Sequence, residues 1–298
     1  MQKCVITGGG GFVAGSVIHQ APADWEMHAI SGKAPLTRRK GLVWHTLDLK
    51  DPEAVQRTLA AIAPDVVIHA AATADIDFCE RNPDVARAMN VAFTQVVADG
   101  CARGGSRLIY VSTDNVFDGE RGGYTEADPP SPINVYARTK AEGESVVAAV
   151  PGSVIARIAL VMGFGPLGGG NSFLERTIPM LRAGQTINVP PGEIRSPIDV
   201  LTLGQALLEL AEGTFQGTIH LAGNEALDRV SLTRRIAERF GYSPGLVRPR
   251  APEQIAGRAP RPRDVSMSNA KARSLLTTPM LGFAAALQRV FDDFAGGA

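Results

Sequence analysis

The N-terminal segment pairs a short apolar run with a cluster of glycines, and this combination restricts the fold more than any other feature of the chain. Residues 3–7 predict a buried strand, and the glycines that follow turn it into a helix. Backbone amides at such a turn can hold a pyrophosphate, which the positive end of the helix also attracts. A flexible turn without a ligand is the alternative, but strand, turn and helix together indicate a dinucleotide loop. The residues expected to contact the cofactor there are Gly8, Gly11, Phe12 and Val13.

Strand-like and helix-like segments alternate five times in the first half of the chain. The further apolar runs that predict strands are residues 27–31, 42–47, 65–69 and 107–111. This alternation is typical of an α/β fold with a Rossmann-like, doubly wound parallel sheet, in which ligands bind at the carboxyl ends of the strands. After another strand at 154–161, a glycine-rich loop marks the change to a smaller, mixed α/β substrate-binding domain. We expect a dinucleotide-binding domain over residues 1–162 and a substrate-binding region over 163–298, with residues about 196–222 returning to the first domain.

The residues after the second and third strands bear on the identity of the cofactor. A carboxylate normally follows the second strand when NAD is bound, because it holds the ribose hydroxyls. Here that position carries Ser31, Gly32 and Lys33, with Arg38 nearby. These residues could neutralise a ribose 2′-phosphate, so NADP(H) is the preferred cofactor and NAD(H) the second candidate, although a solvated basic loop is the alternative. After the third strand, Asp48 could contact the adenine or only shape a turn. The other strand-end residues expected near the cofactor are Leu49, Ala70, Ala71 and Ala72.

Tyr136 stands four residues before Lys140 in a segment that predicts a helix. Positions four apart lie on one face of a helix, so the phenol and the ammonium can address a single point. Shifting the tyrosine pKa from ~10 to neutrality requires about 4 kcal/mol, and one ammonium about 4 Å away at an effective dielectric of ~20 supplies about that much. The pair can therefore act as an acid–base device. Two exposed helix residues at this spacing are common in proteins. The spacing alone therefore does not distinguish a functional pair from two ordinary surface residues.

The totals exclude several other classes of protein. The 298 residues carry 30 basic and 30 acidic side chains, so no net field favours nucleic acid or an anionic membrane surface. The three isolated cysteines indicate a reducing compartment, and the start of the chain has no long apolar region, so we expect a cytoplasmic protein. The five histidines are scattered and predict no metal site, and neither a Gly-x-Ser-x-Gly elbow nor a Walker lysine loop occurs. With these reaction classes excluded, redox chemistry with a bound cofactor is the class that the sequence favours.

Several of these residues occur in the order found in extended short-chain dehydrogenases/reductases of the NAD-dependent epimerase/dehydratase superfamily. They are the glycine loop through Ala14, Asp48, Asn90, Thr113 and the pair of Tyr136 and Lys140. Within that family, the stretches 77–80, 112–119, 131–136 and 261–264 resemble the dTDP-4-dehydrorhamnose reductase branch. The resemblance covers nearly the whole chain.

The resemblance implies a role for each matching residue. Tyr136 would donate a proton to the reduced carbonyl oxygen, Lys140 would lower the pKa of Tyr136 and hold the nicotinamide ribose, and Thr113 would position the carbonyl. Asn90 would order the cofactor side of the site, and no metal ligands carry over. The chain departs from the branch after Arg157, where an aromatic residue is usual but aliphatic residues follow. The residues that the resemblance places at the substrate are Thr73, Asp114, Asn115, Asn171 and Arg195.

Three functions are compatible with this sequence. The first is an NADPH-dependent reductase of a keto group on a nucleotide-linked 4-keto-deoxysugar. The arginine-rich stretch 248–263 could bind the diphosphate of such a substrate, or could be a solvated loop. The second is a sugar-nucleotide epimerase or dehydratase that retains NAD. The third is a non-catalytic nucleotide-binding regulatory subunit, because the beta subunit of methionine adenosyltransferase resembles this branch. The intact Thr113, Tyr136 and Lys140 favour an enzyme, and the sequence leaves a homodimer open.

Overall fold

The computed structural model describes residues 2–33, 40–167, 172–254 and 257–296. Two residues expected at the site, Arg38 and Asn171, lie outside the described residues. The strands are β1 (Lys3–Thr7), β2 (Glu26–Ser31), β3 (Leu42–Thr46), β4 (Val66–His69), β5 (Arg107–Thr113), β6 (Val154–Ile158), β7 (Val161–Met162), β8 (Ile187–Val189), β9 (Ile194–Arg195), β10 (Ile198–Asp199), β11 (Gly217–Leu221), β12 (Leu227–Asp228) and β13 (Val247–Pro249). The α-helices are α1 (Phe12–Gln20), α2 (Pro52–Ile62), α3 (Ile76–Arg81), α4 (Pro83–Arg87), α5 (Phe93–Gly104), α6 (Val135–Ala148), α7 (Phe173–Arg182), α8 (Val200–Glu212), α9 (Arg229–Arg239), α10 (Ala270–Leu275) and α11 (Phe283–Gly296).

Within the described residues, seven strands form one central sheet in the order β11-β6-β5-β4-β1-β2-β3. Every neighbouring pair in this sheet is parallel. The chain leaves β1 in one direction towards β2 and β3, and the later strands extend from the other side of β1. Such a change of direction opens a crevice at the carboxyl ends of the strands, where ligands bind. The predicted Rossmann-like, doubly wound α/β fold is confirmed.

Helices cover both faces of the sheet. On one face, α1 and α8 pack against strand residues such as Ile6 and Ile109. On the other face, α2, α5 and α6 pack against Val5 and Leu108. Adjacent strand residues point to opposite faces, so strands covered on both sides need an almost continuous apolar run. The apolar runs that predict the strands in the sequence therefore reflect this double burial.

Polar residues at the starts of two helices set where those helices begin. The Asp51 side chain accepts a hydrogen bond from the Ala54 amide at 3.0 Å and caps α2. The Asn134 side chain accepts one from the Ala137 amide at 2.9 Å and caps α6. Caps of this kind satisfy amides that have no partner inside the helix. The cap at Asn134 places Tyr136 in the first turn of α6.

The second region has an apolar core of its own, to which α7, α9 and α11 contribute. The short strands outside the central sheet pair as β7 with β10, β8 with β13 and β9 with β12. By contrast, α8 packs against α1, and β11 pairs with β6 at the edge of the central sheet. Among the helices that the structure describes, none combines the length and the apolar character that a membrane crossing requires.

Candidate active site

The turn after β1 lies directly against the segment that follows β4. Gly8 has a φ angle of +73°, and a Cβ atom on it would lie 2.8 Å from the Cα atom of Ala71. The Thr7 hydroxyl accepts a hydrogen bond from the Ala71 amide at 3.2 Å. Only glycine suits both this backbone angle and this space, so main-chain atoms line the crevice, as a bound pyrophosphate requires. Of the predicted cofactor residues, Gly8 lies against Ala70 and Ala71 and beside Gly11, Phe12 and Val13 begin α1, and Ala72 follows Ala71 in the chain.

The ends of β2 and β3 bring together a second group of predicted residues. Ser31 is buried, and its hydroxyl accepts a hydrogen bond from the Lys33 amide at 3.1 Å. A Cβ atom on Gly32 would lie 3.9 Å from the side chain of Leu49. Asp48 is exposed, and its carboxylate accepts a hydrogen bond from the amide two residues later at 2.9 Å. In this structure Asp48 shapes a turn, and Lys33 presents an exposed positive charge at the end of β2.

Thr113 and Tyr136 meet at the carboxyl end of β5. Thr113 is the last residue of β5, and Tyr136 lies in the first turn of α6, which packs against that strand. Burial raises the pKa of Tyr136 above its ordinary value of 10.0, a hydrogen bond with Thr113 opposes this shift, and the charge of Asp114 adds to it. Tyr136 therefore keeps its proton at neutral pH.

Lys140 lies one helical turn after Tyr136 and is only 2% exposed. Its ammonium donates a hydrogen bond to the carbonyl oxygen of Val111 at 2.7 Å and lies 3.9 Å from the centre of the Tyr110 ring. Burial lowers the pKa of Lys140 to about 7, and the charge of Glu144 opposes this shift. The family resemblance implies that Lys140 lowers the pKa of Tyr136. That role stays a prediction: in the structure, burial raises the pKa of Tyr136 and the Lys140 ammonium donates its hydrogen bond to the Val111 carbonyl.

A buried ion pair that the sequence reasoning missed lies beside Lys140. Glu144 follows Lys140 by four residues, and Glu144 and Arg157 are each 4% exposed. The Glu144 carboxylate accepts hydrogen bonds from Nη2 of Arg157 at 2.8 Å and from the Ser112 hydroxyl at 2.5 Å. Ser112 and Arg157 are paired neighbours in β5 and β6. The signal in the sequence is the repeated spacing of four, which places Tyr136, Lys140 and Glu144 on one face of α6.

Asn90 joins the segment after β4 to α6. It is fully buried in a π-helical stretch, Ala88–Ala92. Its side-chain oxygen accepts a hydrogen bond from the Thr73 amide at 2.8 Å, and its side-chain nitrogen donates to the Thr73 carbonyl at 3.1 Å and to the Thr139 hydroxyl at 3.0 Å. Both N–H donors of Asn90 are thus used inside the protein. Asn90 therefore positions Thr73 and the helix that carries Tyr136.

His69, at the end of β4, is a neutral residue of the core. Its Nδ1 atom is 2.7 Å from the Thr7 hydroxyl, and its Nε2 atom is 2.9 Å from the Thr94 hydroxyl. Burial lowers its pKa to about 3, and the charge of Lys140 acts in the same direction. Among the described residues, no group of three or more His, Cys, Asp and Glu side chains could hold a metal ion.

Asp114 and Asn115 follow Thr113 in a single 3₁₀ turn. Oδ1 of Asp114 accepts hydrogen bonds from the Thr113 hydroxyl at 3.2 Å and from the Asn115 side chain at 2.8 Å. Oδ2 of Asp114 and Oδ1 of Asn115 are buried without a hydrogen-bond partner in the described part of the chain. Burial raises the pKa of Asp114, and the charge of Arg195 opposes this shift. Arg195 is held in place by hydrogen bonds to main-chain carbonyls, at 2.7 to 3.1 Å.

Four arginines of the described second region gather around one buried carboxylate. Glu193 is 6% exposed and forms an ion pair with Arg258. Burial lowers the pKa of Arg229 to about 10, Glu193 opposes this shift, and the charges of Arg195, Arg258 and Arg176 add to it. Sequence reasoning missed Arg176 and Arg229, because they lie in α7 and α9, outside the arginine-rich stretch.

Comparison with known proteins identifies the family of the chain. Residues 2–295 match the family model described as RmlD substrate binding domain. The chain belongs to this family. A protein named dTDP-4-dehydrorhamnose reductase from Mycobacterium tuberculosis (strain ATCC 25618 / H37Rv) is 35% identical over 295 residues, which cover 96% of this chain and 91% of that protein. Methionine adenosyltransferase 2 subunit beta from Rattus norvegicus is 29% identical over 281 residues, which cover 92% of this chain and 82% of that protein.

A solved structure extends this similarity to the fold. The crystal structure of dTDP-4-dehydrorhamnose reductase from Bacillus anthracis in complex with NADP has a TM-score of 0.88 to this chain at 25% sequence identity. The alignment covers 98% of this chain and 100% of that chain. The predicted membership of the dTDP-4-dehydrorhamnose reductase branch is confirmed, and with it the NAD(P)-dependent oxidoreductase class.

Proposed function

We propose that the chain is an NADPH-dependent reductase of a keto group on a nucleotide-linked 4-keto-deoxysugar, with Tyr136 as the proton donor. The observation that carries this proposal is that Thr113, the last residue of β5, and Tyr136, in the first turn of α6, lie at the sheet edge where the crevice beside Gly8 also opens. Reduction of a carbonyl needs a proton donor at the oxygen and a hydride donor at the carbon, and this edge suits both. Residues 1–162 would bind the cofactor, and residues 163–298 would bind most of the substrate.

The crevice beside Gly8 fits the pyrophosphate of a dinucleotide. The amides of the turn and of the first turn of α1 would hold the phosphates, and the segment of small residues at 70–72 would lie against the cofactor. Ser31 and Lys33 would meet the adenosine ribose, where the positive charge of Lys33 favours a 2′-phosphate. Bound NADPH supplies the hydride. A fluorescence titration in which NADH binds more tightly than NADPH would contradict this choice of cofactor.

The proton that the reaction requires comes from a side chain of the protein. Because the pKa of Tyr136 is raised, the phenol keeps its proton until the oxygen of the reacting carbonyl becomes basic enough to accept it. Thr113, at the same end of β5, would hold the carbonyl oxygen beside the phenol. The buried ammonium of Lys140 favours the phenolate that remains, and with a pKa of about 7 it can exchange a proton near neutral pH.

The arginines around Glu193 support a substrate that carries a diphosphate. Guanidinium groups match phosphate oxygens in charge and in geometry. Arg195 acts electrostatically on Asp114 at the catalytic edge and on Arg229 inside the cluster, so positive charge extends from one to the other. A sugar nucleotide has the corresponding layout, with the reacting sugar at one end and the negatively charged diphosphate next to it.

One assay separates this function from the two alternatives. The purified protein is incubated with NADPH and a panel of nucleotide-linked 4-keto sugars, and the absorbance of the reduced cofactor is followed. Net oxidation of NADPH supports the reductase. Isomerisation of the sugar without net oxidation would point to an epimerase, and no reaction with any sugar of the panel would favour a regulatory subunit.

The role of Tyr136 is tested by Tyr136→Phe. We expect turnover to fall by about 10²- to 10⁴-fold, the usual contribution of a positioned acid, while NADPH affinity stays nearly unchanged. Tyr242→Phe is the matched control, because it removes the same hydroxyl from a partly buried tyrosine of the second region. A Tyr136→Phe enzyme with the wild-type rate would refute the proton-donor role.

A further inference from the structure

Residues 258–263 of the second region, which we call the bridging segment, are bonded to α3. The Asp77 carboxylate, on α3, accepts hydrogen bonds from the Ala259 amide at 2.7 Å and from Nη1 of Arg261 at 2.8 Å. The same nitrogen of Arg261 donates to the Ala259 carbonyl at 2.7 Å. The hydrogen bond from Arg261 is the largest of the effects that lower the pKa of Asp77, and burial opposes it. Asp77 therefore holds both the main chain and a side chain of the bridging segment.

The bridging segment is also bonded to the start of α6. The carbonyl oxygen of Pro260 accepts a hydrogen bond from the Asn134 side-chain nitrogen at 3.0 Å, and the side-chain oxygen of Asn134 caps α6 at the Ala137 amide. The Val135 amide donates to the Glu80 carboxylate, on α3, at 2.9 Å. Thus α3 contacts the bridging segment, the bridging segment contacts α6, and α6 contacts α3, so these three elements form a closed ring of contacts.

Other residues of the bridging segment contact the arginines that are proposed to bind the diphosphate. Arg258 forms the ion pair with Glu193. Arg195 donates hydrogen bonds to the carbonyl oxygens of Pro262 at 3.0 Å and of Arg263 at 3.1 Å. One short segment therefore joins the arginines of the second region to the first turn of α6.

We infer that Asp77 is a positioning residue for the reaction: by fixing the bridging segment to α3, it sets where Tyr136 lies relative to the arginines that hold the substrate. This inference rests on the proposed reductase function. None of residues 258–263, all of which the structure describes, belongs to a helix or a strand, so the position of the segment depends on its contacts with neighbours. A misplacement of about 1 Å between a reacting group and its substrate can cost about 100-fold in rate.

The test measures kcat and KM of Asp77→Ala and Asp77→Asn with NADPH and a dTDP-linked 4-keto-6-deoxyhexose. We expect Asp77→Ala to lower kcat by about 10- to 100-fold, with a smaller change in KM and an unchanged affinity for NADPH. Asp77→Asn keeps a side-chain oxygen that can accept from Ala259 and Arg261, so it should recover most of the lost rate. A purely structural contact would instead lower the free energy of unfolding and leave kcat of the folded enzyme unchanged.

Glu225→Ala is the matched control. Glu225 forms an ion pair with Arg235 at 2.6 Å, and its side chain is 40% exposed, against 35% for Asp77. The substitution removes a carboxylate of similar exposure from an ion pair outside the bridging segment. We expect kcat of this variant to stay at the wild-type value.

Asn134→Ser tests the other contact of the bridging segment. Serine caps helices about as well as asparagine, but it has no side-chain amide to donate to the Pro260 carbonyl. If both contacts act through the bridging segment, Asp77→Ala and Asn134→Ser lower kcat by similar factors, and the double variant is little slower than either. Effects that multiply in the double variant would overturn the inference.

The outcomes distinguish this inference from the proposed function. A wild-type kcat in folded Asp77→Ala would overturn the inference and leave the reductase function standing. If that variant does not fold, Arg261→Gln takes its place with the same expectation. No oxidation of NADPH by the wild type would contradict the proposed function, and hydrogen exchange then decides the inference. The amides of Ala137 and Arg138 should exchange at least about 10-fold faster in Asp77→Ala than in the wild type, and equal rates would overturn it.

Discussion

Replacing Lys140 by methionine should change how the free energy of unfolding depends on pH. Burial lowers the pKa of Lys140 from 10.5 to about 7 in the folded chain. Below pH 7 the lysine is charged in the folded and the unfolded chain, so the full penalty of burying its charge is present. Between pH 7 and pH 10.5 the unfolded chain keeps a proton that the folded chain has lost, so Lys140 makes the wild type more stable as pH rises. Methionine has a similar length and no titration, so the variant lacks this contribution.

The size of the effect follows from the two pKa values of Lys140. The values 10.5 and about 7 differ by about 3.5, which corresponds to about 5 kcal/mol. Because the titration is gradual, about 2 kcal/mol of this gain falls between pH 7 and pH 9. Burial also raises the pKa values of the three cysteine thiols, but these titrate alike in both proteins and cancel in the difference.

Urea unfolding followed by circular dichroism at pH 6, 7, 8 and 9 measures this difference for wild type and Lys140→Met. We expect the difference in free energy of unfolding between wild type and Lys140→Met to increase by about 2 kcal/mol in favour of the wild type between pH 7 and pH 9. Lys50→Met is the control, because Lys50 is exposed and its replacement should give a curve parallel to the wild type. Parallel curves for Lys140→Met would refute the argument that burial sets the charge of Lys140.

Two further substitutions test the buried ion pair and the glycine turn. Glu144→Gln should lower the free energy of unfolding by about 3–5 kcal/mol, because it leaves the Arg157 charge buried without a partner. The exposed Glu142→Gln should cost less than about 1 kcal/mol, and equal losses in urea unfolding would contradict the role of burial. Gly8→Ala should weaken NADPH binding by at least about 10-fold in a fluorescence titration, because its methyl group would meet the segment after β4. Gly105→Ala is the control, because Gly105 has a similar φ of +69° and open space around the new methyl group. If both variants bind NADPH with the same affinity, the crevice beside Gly8 is not the binding site.

The fold was predictable because its signals are local. Alternating apolar runs and helical segments specify a parallel sheet, and the small residues at Gly8 and at 70–72 lie where the ends of β1 and β4 must meet. The pairing of Tyr136 with Thr113 follows from the same logic, since strand ends and helix starts share one edge of the sheet. Such features need only the order of the segments along the chain.

Contacts that depend on the packing of distant segments could not be predicted in the same way. The ion pair of Glu144 and Arg157 requires that α6 lie over β5 and β6 with one particular face inward. The grouping of Arg176 and Arg229 around Glu193 joins α7 and α9 to a short strand more than ten residues from either in the chain. Spacing in the sequence places Glu144 on the face of α6 that carries Lys140, but it does not identify Arg157 as its partner, because the partner lies on a different element.

The pair of Tyr136 and Lys140 shows why correct spacing does not settle the chemistry of a site. The Coulomb argument from sequence treats the phenol as solvated and asks how far a nearby ammonium lowers its pKa. Burial acts on both groups at once and favours the uncharged form of each, which raises the pKa of Tyr136 and lowers that of Lys140. Glu144 opposes the second shift, and its own charge is held by Arg157 and Ser112. The protonation states of Tyr136 and Lys140 are therefore set by burial and by neighbours on β5 and β6 as well as by the two residues themselves.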